Sequence, residues 1–191
     1  MSPREMILLS GLTQISKPLP SSSQNTLTPY SWAQTGLMIV EEADLGPGLP
    51  GDHRIPVARV EIDPATGVVE VTDITAIHDV GKAINRAAVE GQIEGGVATG
   101  IGYALCEAVR LKSDQKWVDN FTEYLLPTAI DVPPTIKSII LELAEESGPF
   151  GAKGIGEISL VPTAAAISRA VQQAVGKKIN TLPIVPELLI E

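Results

Sequence analysis

Seven residues, GAKGIGE (Gly151–Glu157), set three glycines, a lysine and a carboxylate directly before ISLVPTAAAISRAVQQAV, which reads as a helix. A glycine-rich stretch lets successive backbone N–H groups converge on one point. A helix N-terminus adds its dipole, so the pair suits an anion or a polar cofactor. Lys153 would add a positive charge. The segment has neither the GxxxxGKS/T spacing of a P-loop nor the GxGxxG of a dinucleotide fingerprint. A glycine-rich turn between strand and helix is the other reading of the same residues. Glu157 stands among apolar neighbours (GIGEISLV). A carboxylate desolvated by such neighbours becomes a better proton acceptor. A helix N-terminus beside it favours the anion instead, and a first-turn surface glutamate needs no chemical role at all.

Other polar residues carry less. Gln92 lies one position from an apolar stripe, where its amide could read a ligand's hydrogen bonds or cap a neighbouring turn. His78 and Asp79 are adjacent, and adjacent side chains rarely point together; His53 lies in a Pro/Gly loop. Cys106 directly follows the same stripe and reads as a small buried hydrophobe.

Several elements must position these groups. VARVEI (Val57–Ile62) and VVEVTDITAI (Val68–Ile77) are β-rich and partly alternating. DPATG between them has Pro early and Gly late, as a tight turn requires, so the pair predicts a β-hairpin. HDVGKAIN reads as a polar loop. Within VEGQIEGGVATGIGYALCEAV, Val89, Ile93, Val97, Ile101 and Leu105 recur every fourth residue and predict a helix with one apolar stripe. Five glycines interrupt it (Gly91, Gly95, Gly96, Gly100, Gly102). Each costs about 1 kcal/mol against alanine, which makes sense where other backbone or a ligand comes close. WVDNFTEYLLPTAIDVPP is irregular, TIKSIILEL (Thr135–Leu143) reads as a strand, and a helix is expected from about Ser159 to Val175. Upstream, Gly36–Val40 could hold a strand between Pro-, Ser- and Gly-rich stretches. Strands and helices in mixed order, without a regular βαβ repeat, predict an α+β layer structure.

The chain has 191 residues, 44% hydrophobic and 19% charged, enough for one core. Its net charge of −9 opposes nucleic acid and anionic membranes. One cysteine excludes an internal disulfide framework and a Cys-rich metal or iron–sulfur site within these residues. MILL is too short for the apolar part of a secretory signal, and no stretch approaches the ~20 apolar residues of a membrane span. The expected location is cytoplasmic.

Taken together, VARVEIDPATGVVEVTDITAIHDVGKAINRAAVEGQIEGGVATGIGYAL and GPFGAKGIGEISLVPTAAAISRAV resemble the C-terminal part of the molybdenum-binding subunit of the xanthine oxidase/aldehyde oxidase family. The DxxTG turn, the HDVGxxIN loop, the GQIEGG helix start and the GAKGxGE loop come in the family's order and spacing, from about Val57 onward. The resemblance implies an α+β fold: a mixed sheet with a β-hairpin and two packed helices. Residues 57–191 would be the molybdopterin-binding part, and 1–56 a loosely ordered arm and insertion. It implies a molybdenum hydroxylase acting on an N-heterocycle or aldehyde with oxygen from water. The cofactor is molybdopterin, in bacteria often the cytosine dinucleotide form, and the metal is held through its dithiolene rather than by side chains. The family's general base falls on Glu157, and cofactor-facing positions fall on Gln92, Ala152, Lys153, Gly154 and Gly156. Iron–sulfur clusters and FAD are implied on partner chains, alongside a larger molybdopterin subunit, without which the chain would be inactive. The family subunit is several hundred residues longer, its upstream pocket segments are absent, and Arg86 stands where proline is frequent. A non-catalytic fragment that only associates, or a generic anion-binding module, are the competing readings.

Overall fold

The computed structural model describes residues 34–39 and 54–190, with side chains from Pro56 onward. The loose order expected of 1–33 and 40–53, and His53 with it, lies outside those residues. The elements are β1 (Gln34–Ile39), β2 (Arg54–Ile62), β3 (Val69–Asp79), α1 (Arg86–Leu105), β4 (Ile136–Leu141) and α2 (Val161–Val175). Short 3-10 turns occupy Pro149–Gly151 and Pro186–Leu188. The strands form one sheet in the order β1-β2-β3-β4, antiparallel except for the parallel pair β3–β4. The mixed sheet and α+β class match the expectation. β1 overlaps the strand expected at Gly36–Val40, and β2 begins at Arg54, three residues before the expected Val57.

The hairpin forms for the reasons its turn suggests. Asp63 accepts hydrogen bonds from the Ala65 N–H at 2.9 Å and the Thr66 hydroxyl at 2.7 Å. Gly67 closes the turn at φ +72°, a conformation that favours glycine. The imperfect alternation of β3 has a cause in its pairing. Arg59 and Val60 face Asp73 and Val71, which leaves Thr72 as the extra residue of a bulge. The bulge lets Val71 and Ile74, three apart, both join the core.

β3 also runs further than expected. His78 and Asp79 lie in the strand, not in a polar loop, and both are fully buried. Parallel pairing with β4, Ile74↔Ile136 through Asp79↔Leu141, covers that end, so the backbone there is bonded on both sides.

α1 begins at Asn85, whose side chain accepts from the Ala88 N–H at 3.1 Å. Arg86 holds the first helical position. That is a site where proline and other residues are interchangeable, because its N–H has no helical partner. The helix ends at Leu105, short of the expected Val109. Cys106 and Glu107 both donate to the Gly102 carbonyl, which closes the last turn. α2 starts at Val161 rather than Ser159, with Pro162 in its first turn, and stops at Gly176 in the left-handed conformation, φ +67°. Both helices pack on the sheet and on each other. Their stripes, Ile93, Val97 and Ile101 from α1 and Ile167, Ala170 and Val171 from α2, meet Val60 and Ile74 of the sheet in one core.

Candidate functional site

The GAKGIGE loop reaches the sheet at the C-terminal ends of β3 and β4. Its first half is pinned there. Lys82 N–H donates to the Gly151 carbonyl at 2.7 Å, and Lys153 N–H donates to Val80 O at 2.9 Å. Gly81 and Ala152 form a bridge between the two segments. Gly81 has to be glycine twice over: its φ is +60°, and a Cβ would overlap the Gly151 carbonyl oxygen and stand 3.0 Å from Lys153 N. At the centre is Asp79. One carboxylate oxygen accepts from Gly81 N–H at 3.0 Å and Leu143 N–H at 3.1 Å. The other meets the Lys153 ammonium at 2.6 Å, with the two side chains 0% and 9% exposed. The Lys153 ammonium thus goes to Asp79, not outward as the expected charge for an anion. Its neighbour Glu142 accepts from Ala83 N–H at 2.9 Å and pairs with Lys82 at 3.2 Å. Those contacts hold the Glu142 carboxyl below the usual carboxylate range.

The second half of the loop meets α1. The Ser159 side chain is fully buried, and its hydroxyl donates to the Gln92 carbonyl at 3.1 Å. The approach needs Gly96, where a Cβ would run into the Ser159 hydroxyl and stand 2.8 Å from Ser159 Cβ and 3.1 Å from Leu160 N. Gly100 plays the same part against Thr163, with a Cβ only 2.7 Å from its methyl carbon. The glycines of α1 therefore divide. Gly96 and Gly100 admit the neighbouring segment, whereas Gly91 and Gly95 face open space with nothing within 4 Å.

Between these two anchors lies the arc 154–157. Gly154, Gly156 and Glu157 are exposed, as is Gln92, while Ala152 and Lys153 are half-buried. Ile155 packs against the core. Among the described residues, the N–H groups of Gly154, Ile155, Gly156 and Glu157 have no acceptor within the chain. Neither Gly154 nor Gly156 has a positive φ, and neither has an atom within 4 Å of where a Cβ would be. The sequence singles out Gln92 and the loop; the structure brings them together through Ser159. Asp79, Ser159 and Gly81 were missed as organising residues. Asp79 had a signal in its place ahead of a glycine, but a buried carboxylate at a strand end is not separable from a polar loop in sequence alone. Cys106 is half-buried, and burial, with Glu107 and Asp131 nearby, pushes its thiol up.

The arrangement is an open-sided cradle. It is made by the arc 154–157 itself: Gly154 and Gly156 leave its backbone uncovered, four amides offer donors, and Glu157 is the exposed carboxylate at its end. This donor set suits a large polar cofactor with anionic and hydrogen-bond-accepting atoms. Among the described residues no group of three His, Cys, Asp or Glu could hold a metal ion.

Comparison with known proteins places the chain in a family. Residues 53–133 match the molybdopterin cofactor-binding domain model. The chain is 38% identical over 132 residues to the xanthine dehydrogenase molybdenum-binding subunit of Escherichia coli, covering 68% of this chain and 17% of that protein. It is 34% identical over 138 residues to the 6-hydroxypseudooxynicotine dehydrogenase complex subunit gamma of Paenarthrobacter nicotinovorans, covering 71% and 17%. The crystal structure of quinoline 2-oxidoreductase from Pseudomonas putida superposes with a TM-score of 0.67 at 39% identity, over 71% of this chain and 18% of that one. The chain thus spans less than a fifth of the length of the curated relatives it matches. With the fold, the order of the motifs and the matched region in agreement, the chain belongs to the xanthine dehydrogenase/aldehyde oxidoreductase family of molybdenum-binding subunits.

Proposed function

We propose that the chain supplies one wall of the cofactor pocket of a molybdenum hydroxylase, and its general base, to a larger assembly in the cytoplasm. The observation that carries this reading is the Ser159–Gln92 contact, which puts the open loop beside the glycine-lined start of α1. Gln92, the backbone of Ala152, Lys153, Gly154 and Gly156, and the free loop amides would hold molybdopterin, in its simple or cytosine dinucleotide form. When bound, that cofactor supplies a two-electron redox centre for adding water-derived oxygen to an N-heterocycle or aldehyde carbon. Glu157 takes up the proton released from that oxygen on a carboxylate Oε atom, and its exposure leaves it accessible to substrate. Closure of the pocket falls to other chains: a larger molybdopterin subunit, with iron–sulfur and FAD subunits carrying the electrons away. An apolar surface supports a large partner. Val109, Trp117, Phe121 and Ile130, on the connection between α1 and β4, are all at least 60% exposed.

The test is Glu157→Gln in the assembled enzyme. General-base help is worth about 100- to 10,000-fold, so turnover should fall by that much while molybdenum content stays near wild type. Retention of more than about a tenth of wild-type turnover, against that expected loss, would refute the assignment.

A further inference from the structure

The Lys153 ammonium lies against a buried carboxylate instead of the open cradle, and this points to a role other than ligand binding. We propose that the Asp79–Lys153 ion pair is a positioning device that sets where Glu157 stands; the proposal rests on Glu157 being the base. Asp79 gathers three segments on one carboxylate: Gly81 beyond β3, Leu143 beyond β4, and Lys153 of the loop. Lys153 is tied twice to the same place, by its side chain to Asp79 and by its main-chain N–H to Val80 O at 2.9 Å. It is the last such tie before the arc that carries Glu157. The next is Leu160 N–H to Glu157 O at 3.3 Å, followed by Ser159 on Gln92. Glu157 is thus hung between two anchors. The upstream anchor is directional because an ammonium and a carboxylate, both withdrawn from water, tolerate little misplacement. Burying such a pair gives little net stability relative to apolar residues, but losing one partner strands the other charge. That is the property of a locating pin rather than of a core contact.

Four variants separate the possibilities: Lys153→Met, Lys153→Gln, the double substitution Asp79→Asn with Lys153→Gln, and Glu157→Gln. In the double variant a neutral amide pair keeps the hydrogen bond. Asp79→Asn is avoided as a lone change, because the new amide would face the ammonium. Amide hydrogen exchange of the full chain needs no cofactor. With Lys153→Met, the stranded carboxylate should speed exchange at Gly81, Leu143 and position 153 by on the order of 100-fold. Val97 and Ile101 in α1 should change by less than about 3-fold, since the opening is local. The double variant should recover to within about 10-fold of wild type. If Lys153→Met does not fold, Lys153→Gln, which keeps one donor to Asp79, is read the same way. In the assembled enzyme the Lys153 variants should lower kcat with KM unchanged, and the double variant should regain kcat. Unchanged exchange at Gly81 and Leu143, equal acceleration across α1, or a double variant no better than Lys153→Met would overturn the proposal. So would full kcat in a Lys153 variant whose loop exchanges fast, while Glu157→Gln is inactive. Harmless Glu157→Gln with the expected exchange pattern would instead sink the assignment of the base and leave the anchor in place.

Discussion

Adding one methyl group at Gly96 should damage the chain, and adding it at Gly95 should help. At Gly96 a Cβ would stand 2.8 Å from Ser159 Cβ and 3.1 Å from the Leu160 nitrogen, and it would displace the Ser159 hydroxyl from Gln92 O. Ser159 is fully buried, so its side chain has nowhere to swing. Overpacking of this kind costs about 1–3 kcal/mol, and the lost hydrogen bond about 1 kcal/mol. Alanine returns about 1 kcal/mol of helix propensity. Gly96→Ala should therefore be destabilising by about 1–3 kcal/mol. At Gly95 nothing lies within 4 Å, so only the propensity gain of about 1 kcal/mol remains. Urea unfolding followed by circular dichroism reads both. With a slope of about 2 kcal/mol/M, the Gly96→Ala midpoint should fall by about 1 M and the Gly95→Ala midpoint rise by about 0.5 M. A Gly96→Ala midpoint at or above wild type would refute the close approach of α1 to the Glu157 segment.

Gly156→Val should leave the unfolding free energy within about 0.5 kcal/mol of wild type, because the position is open and exposed; in the assembled enzyme molybdenum content should drop, since the side chain fills the cradle. Tyr124 donates to the Glu107 carboxylate at 2.6 Å, and that bond, with burial, pushes its phenol up to about 12 from 10.0. The folded value is the higher one, so the stabilisation is complete below pH 10.0 and is lost as pH rises toward about 12; phenolate absorbance should show a late-titrating component that Tyr124→Phe removes. Asp131, lowered by the Thr128 hydroxyl and N–H, and Glu142, lowered first by the Ala83 N–H and then by Lys82, work in the opposite sense. Their contribution is complete above the usual carboxylate range and is lost as pH falls through the lowered values, so Glu142→Gln should flatten the acid limb of a stability–pH curve.

Local rules were enough for the elements that local interactions decide. The hairpin was legible because Asp63 and Gly67 make their turn within five residues, and α1 because a fourfold apolar recurrence survives its glycines. The loop, with Glu157 and Gln92, stood out only as part of a family pattern, not through any local rule. Tertiary contacts settled the rest. Nothing in HDVGKAIN distinguishes a loop from a strand end until β4 pairs beside it and takes Asp79 out of water. Five glycines in one helix look alike in sequence, and only the neighbour facing each one separates Gly96 and Gly100, which admit Ser159 and Thr163, from Gly91 and Gly95, which face open space. Lys153 reads as a free charge until the partner 74 positions away is folded against it. A buried carboxylate captures the nearest cation because leaving it unpaired out of water costs more than any surface contact could return. Which cation is nearest is a property of the packed chain.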